Sequence, residues 1–174
     1  DNRISIDVPF RADGLHRILY KCPKCGTENR MEGKGIQLTC HACEKQWTMD
    51  EYGQLSANVG VTEYPHIPDW YQWQRECVRK ELEAGTYLLD ADVDIAVQVN
   101  LDGVCMIGEG HLEHDLDGFH LTGADGKLDY RQSPVHSHTL YSDYYWYEIG
   151  DVIGIGDNEF SYFCFPKGEV SVTK

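Results

Sequence analysis

Tyr20-Lys21-Cys22-Pro23-Lys24-Cys25-Gly26 is followed by Cys40-His41-Ala42-Cys43, with 14 residues between Cys25 and Cys40. Each Cys-x-x-Cys pair turns tightly enough to aim two thiolates at one point. Two facing pairs complete the closed, tetrahedral four-sulfur set that holds structural zinc. Between them, Asn29 to Cys40 reads as a hairpin with Gly33-Lys34-Gly35 at its turn, and Ile18-Leu19-Tyr20 and Gln46-Trp47-Thr48 read as flanking strands. The spacing therefore predicts a zinc ribbon, its gap slightly shorter than usual, with Cys22, Cys25, Cys40 and Cys43 as ligands of one structural ion. The rival, a redox Cys-x-x-Cys, needs one pair at a helix N-terminus rather than two facing pairs. A head this small buries little apolar surface, so metal binding is expected to supply much of its folding energy.

The rest of the composition is consistent with that reading. The chain has 174 residues, 41% of them hydrophobic, and a formal charge of −14. Its seven cysteines are an odd number, with Cys77, Cys105 and Cys164 isolated, which argues against a secreted disulfide framework and for a reducing, cytoplasmic setting. No apolar run approaches the roughly 18 residues of a membrane span. Asp1-Asn2-Arg3-Ile4-Ser5 has no basic or apolar leader pattern, so no signal peptide is expected, and the missing initiator Met suggests a piece of a longer polypeptide. Residues 1–50 carry 8 basic and 7 acidic side chains, whereas residues 51–174 carry 7 and 22. The acidity lies wholly in the tail and disfavours nucleic acid as a partner.

Three segments follow: a zinc ribbon with its lead-in at 1–57, a linker and amphipathic helix at 58–85, and an acidic antiparallel β domain at 86–174. Asp69 reads as the helix N-cap, with Gln72 completing a capping box and Gly85 at the C′ position. Trp70, Trp73, Cys77, Val78 and Leu82 form the expected apolar stripe. Arg75, Arg79 and Lys80 read as a solvated face beside Glu76, Glu81 and Glu83.

Beyond Thr86, short alternating runs are punctuated by Asp102-Gly103, Asp117-Gly118 and Asp125-Gly126, strong hairpin signals. Strands are expected at Val93–Val99, Val104–Leu112, Phe119–Leu121, Leu128–Arg131, Tyr144–Ile149, Val152–Ile155 and Phe160–Phe165. The fold class is mostly β with one helix, the tail forming an antiparallel barrel or sandwich. A pleckstrin-homology-like barrel would suit the strand count. With 4 basic and 16 acidic residues in 86–174, this domain lacks the basic cluster that reads anionic headgroups.

Several motifs fail on spacing. Asp90, Asp92 and Asp94 imitate a calcium loop, but Ile95 and Leu101 stand where Gly and Glu are needed. His111 and His114 would face opposite sides of a strand, and His120 reads as a surface histidine. His136 and His138 share a face but lack a third ligand in sequence.

The runs from Tyr20 to Gly26, from Met31 to Gly35 (Met31-Glu32-Gly33-Lys34-Gly35), Asp50-Glu51-Tyr52-Gly53 and His66-Ile67-Pro68-Asp69-Trp70-Tyr71 resemble the cysteine-rich region that follows the catalytic domain in some bacterial 1-acylglycerol-3-phosphate acyltransferase family proteins. That family's His-x4-Asp and Phe-Pro-Glu-Gly motifs lie in a domain that would precede Asp1. His120 to Asp125 and His138 to Asp143 match the first spacing by chance, and Phe165-Pro166-Lys167-Gly168 has Lys in place of Glu. The resemblance implies a non-catalytic accessory module, partnered by its own upstream catalytic domain or another protein and reaching the inner face of the membrane only through the parent. The alternatives are a free-standing small-molecule or lipid-binding β module, or a zinc-ribbon module for nucleic acid or protein. The basic face of the latter would draw on Arg17, Lys21, Lys24, Arg30, Lys34 and Lys45.

Overall fold

The hairpin between the two Cys-x-x-Cys pairs is present in the computed structural model, which describes residues 4–100, 103–135, 141–157, 159–168 and 170–174. Two units are distinguished, Asp1–Arg79 and Lys80–Lys174. In the first, strands β1 (Met31–Lys34), β2 (Gln37–Cys40), β3 (Gln46–Met49) and β4 (Leu55–Ala57) form a four-stranded antiparallel sheet in sequence order. Lys34 pairs with Gln37, so the turn is Gly35-Ile36, with Gly35 at φ 65°. The expected Gly33-Lys34-Gly35 turn is thus corrected by two residues. Gly33 lies inside β1 and serves a different need, because a Cβ there would stand 2.2 Å from the carbonyl oxygen of Ala12.

Ile18-Leu19-Tyr20 is not a strand. A 3-10 turn at Leu15–Arg17 precedes it, and only an isolated bridge between Lys21 and Glu28 follows. The reason lies in helix α1 (Ile67–Ala84), whose side chains take the place of a neighbouring strand. The Gln74 amide donates to the Ile18 carbonyl (2.8 Å) and accepts from the Lys21 amide (3.0 Å), while the Trp70 indole donates to the Lys21 carbonyl (3.0 Å). Trp70 and Trp47 meet edge to face at 4.9 Å within a core that includes Leu19, Met31, Leu38 and Leu55.

Two expectations for α1 change. Asp69 is the third residue of the first turn rather than the N-cap, because the amides of Asp69 and Trp70 both reach the His66 carbonyl (3.1 and 3.2 Å). Its carboxylate still complements the positive end of the helix, and Pro68 sits where an amide needs no partner. The buried stripe contains Gln74 in place of Leu82, which is 43% exposed. The end of the helix is as read. Gly85 has φ 69°, its amide reaches the Leu82 carbonyl, and the Thr86 amide reaches Glu81, a complete Schellman pair.

The second unit holds β5 (Leu89–Asn100), β6 (Gly103–Asp115), β7 (Gly118–Gly123), β8 (Leu128–Gln132), β9 (Tyr141–Trp146), β10 (Gly150–Gly156) and β11 (Ser161–Pro166). They form one antiparallel sheet in the order β8-β7-β6-β5-β11-β10-β9. Alternation along β5 places Ala91, Val93 and Ile95 in a core with Leu112, Leu121 and Ile155, and leaves Asp90, Asp92 and Asp94 on the opposite face. Beyond the bulge after Ile95, that opposite face becomes apolar, with Ala96, Val152, Phe163 and Phe165 buried under Trp146. The expected strand Tyr144–Ile149 stops at Trp146, because Tyr145, Tyr147 and Glu148 adopt positive φ and turn the chain into β10.

Among the described residues, the ladder is not closed into a barrel. The sheet curls, however. The buried Gln132 at the end of β8 accepts a hydrogen bond from the Gly156 amide of β10 (2.8 Å), and Tyr130 meets Tyr162 of β11 at 4.9 Å.

Candidate metal centre

Cys22 and Cys25 lie on the loop closed by the Lys21–Glu28 bridge, and Cys40 and Cys43 on the connection from β2 to β3. The two loops repeat one geometry. In the first, the Cys22 amide donates to the Thr27 carbonyl and the Gly26 amide to the Cys22 carbonyl (2.9 and 2.8 Å). In the second, the Cys40 amide donates to Lys45 and the Glu44 amide to Cys40 (2.9 and 2.8 Å). The residue after each second cysteine has positive φ, 74° at Gly26 and 58° at Glu44.

This repeat brings all four sulfurs within 4.8 Å of one another, with Cys22 to Cys43 and Cys25 to Cys40 each at 3.8 Å. A disulfide would need about 2.04 Å. A tetrahedron with metal–sulfur bonds of about 2.3 Å has edges of about 3.8 Å, so the spacing fits a four-thiolate ion. Cys22 and Cys40 are buried, Cys43 is half-buried and Cys25 is exposed. Neither pair stands at a helix N-terminus, as a redox pair would require.

The surroundings treat the thiols unequally. Burial pushes the Cys22 and Cys40 thiols up, against the amides of Lys24 and Cys25 on Cys22 and those of Ala42 and Cys43 on Cys40. Burial also opposes ionisation of Cys25, but hydrogen bonds led by Thr27 outweigh it and hold the thiol down to about 6. The Thr27 hydroxyl stands 3.3 Å from Cys25 Sγ. A metal ion would displace the protons that burial holds on the inner pair, and the paired amides would orient the sulfurs around it. Sequence spacing does not disclose Thr27 or these amides. Their only signal is the shared register of Thr27 and Lys45, each two residues past its pair.

The histidines separate as strand alternation requires. His114 turns inward, stacked on Phe119 at 3.7 Å and bonded to the Tyr87 hydroxyl (2.9 Å), and burial pushes its pKa down. His111 faces outward between Asp90 and Asp92. His120 meets Asp129 and Glu113 at 2.9 and 3.4 Å. His136 and His138 lie outside the described residues. Lys167 of the Phe-Pro-Lys-Gly string bridges Asp94 and Glu109.

Compared with protein-family models, with curated proteins and with solved structures, the chain matches none of them. Among the described residues, no helix is long and apolar enough to cross a membrane.

Proposed function

We propose that this chain is a zinc-stabilised, non-catalytic accessory module. On the resemblance of its cysteine-rich head, it would belong to a bacterial 1-acylglycerol-3-phosphate acyltransferase family protein and contact that protein's own catalytic domain or another protein partner. The observation that carries the structural half of the reading is the closed sulfur tetrahedron. Four protein thiolates fill every position around zinc, leaving none for substrate or water. Zinc suits this soft, tetrahedral donor set better than a harder cation does. A nucleic-acid role for the head is less well supported, since two of its candidate bases are engaged, Lys21 with Glu28 (2.9 Å) and Lys45 with Glu63 (2.6 Å).

The test is direct. An antibody to this chain should detect, in the source cells, a polypeptide well above the 19.9 kDa of these residues. That polypeptide should transfer acyl groups to 1-acylglycerol-3-phosphate, and the 174-residue chain alone should not. A native band at the size of this chain would remove the parent enzyme from the proposal.

One observation favours a second reading, a ligand-binding β module. A groove of about 460 Å³ in the acidic unit is lined by Gln98, Val104, Met106, Trp146, Tyr147 and Ile149. Its apolar walls with one amide match the usual composition of small-molecule sites. Native mass spectrometry of the purified chain would show a retained apolar ligand, and a bare mass would count against this reading.

A further inference from the structure

On the outer face of the sheet, β5 and β6 oppose acidic residues twice. Asp94 pairs in register with Glu109, and Asp90 with Glu113, with Asp92 opposite His111 between them. Like charges set directly opposite one another destabilise a sheet. The first pair is bridged by one ammonium group, since Lys167 Nζ lies 3.1 Å from Asp94 and 2.6 Å from Glu109. The second pair has the same cross-strand geometry, but among the described residues no lysine or arginine forms an ion pair with it. Two imidazoles stand there instead, His111 Nε2 at 3.5 Å from Asp90 and His120 Nδ1 at 3.4 Å from Glu113. The geometry points to a second cation site, in which Asp90, Glu113 and His111 Nε2 hold a divalent first-row metal ion of the zinc class where the neighbouring pair holds an ammonium group.

The imidazole is oriented for this task. His111 Nδ1 lies 3.0 Å from Asp92 Oδ1 and Nε2 lies 3.5 Å from Asp90 Oδ1, so Nδ1 keeps its proton on Asp92 while a metal ion takes the place of any proton on Nε2. A carboxylate bonded to the far ring nitrogen is the usual support of a metal-bound histidine, which makes Asp92 a positioning residue. One ligand atom from each of Asp90, His111 and Glu113 lies within 4.8 Å of the others. Bonds of about 2.0–2.2 Å bring such atoms to about 3–3.5 Å apart, a closure that small rotations of two surface carboxylates supply. The donor set of one imidazole and two carboxylates selects against Mg2+ and Ca2+, which favour all-oxygen shells. Asp90 is exposed and His111 and Glu113 are half-buried, so solvent reaches the site directly, and three protein ligands leave positions for water. This site is independent of the four-cysteine centre and of the function proposed for the chain.

The test is a Zn2+ titration of the full chain after the cysteine head has been loaded and excess metal removed. Calorimetry should find one further equivalent, and the His111 ring signals should shift in step with it. His111→Ala and Glu113→Gln should abolish that equivalent and leave the head's ion in place. Asp92→Asn should weaken it by about 10- to 100-fold. Mg2+ at the same concentration should not compete. Cobalt gives a separate readout, since the second equivalent should lack the intense sulfur-to-metal absorption of the first. Saturation at the head's single ion, or a second equivalent that His111→Ala leaves unchanged, would overturn the site.

Discussion

In the head, the longest strand has four residues, and the core around Trp47 and Trp70 takes in Cys22 and Cys40, with Cys43 packed against it. In the acidic unit, β5 and β6 run to 12 and 13 residues, and Val93, Ile95, Leu112, Leu121 and Ile155 form one continuous apolar core. The two units bury apolar surface by different routes. Short strands are expected to leave the head dependent on an ion to close it, and long alternating strands to let the sheet close over side chains alone. They also share one device. Each buries a glutamine that takes the place of a missing ladder bond, Gln74 in the head and Gln132 in the sheet.

The largest test of the contrast is removal of the metal. A chelator, or Cys40→Ser, should unfold the head completely, since structural zinc contributes about 10–16 kcal/mol to small domains of this kind. The sheet should stay folded. Cysteine alkylation reads both outcomes at once: Cys22 should become reactive, while Cys164, buried and pushed up to about 12 by that burial, should stay protected. Joint exposure of Cys22 and Cys164 would show that the two units are one folding unit.

The glutamines come next. Gln74→Leu removes its bonds to the Ile18 carbonyl and the Lys21 amide, and should cost the head about 2–4 kcal/mol in urea denaturation. Gln132→Leu removes its bond to the Gly156 amide and should cost the sheet about 1–3 kcal/mol. Equal, small losses in both units would mean that neither glutamine substitutes for a ladder bond.

A finer comparison lies within the metal centre. Gly26 and Glu44 occupy equivalent left-handed positions, but only Gly26 does so without strain. Gly26→Ala should lower head stability by about 1 kcal/mol, while Glu44→Gly should be neutral or raise it by up to about 1 kcal/mol. Measured in the same zinc-loaded background, the opposite signs are the expected result.

The smallest effect is in the sheet. The amides of Phe160 and Glu159 hold the Asp157 carboxyl below its ordinary value. Asp157 therefore stabilises the turn after β10 above the unfolded carboxyl range, and that contribution is lost as pH falls through its folded value. Asp157→Asn should flatten this part of the acid-unfolding curve, and an unchanged curve would show that the turn is held by other bonds.

The chain's seven acidic-unit strands and four-cysteine cluster were legible in the sequence because each depends on short-range pattern. Cys-x-x-Cys spacing dictates a local turn, and Asp-Gly pairs and apolar alternation dictate hairpins, whatever lies elsewhere in the chain. Some errors are local, such as the Asp69 cap and the end of the Tyr144–Ile149 strand, whereas the misread strand in the head falls where a distant partner overrides local preference. Ile18-Leu19-Tyr20 has the composition of a strand, but Gln74 takes the Ile18 carbonyl and, with Trp70, the polar groups of Lys21 beside it, from more than 48 residues on. The metal site suggested at His111 was hidden for the same reason, since Asp90 and Glu113 are opposed only once β5 and β6 take up their register. By itself, the sequence determined the local turns, the alternating faces and the residues that gather at the four-sulfur centre. Tertiary structure alone decided which residues meet across those faces, because strand register and helix docking are set by contacts between segments that no local spacing encodes.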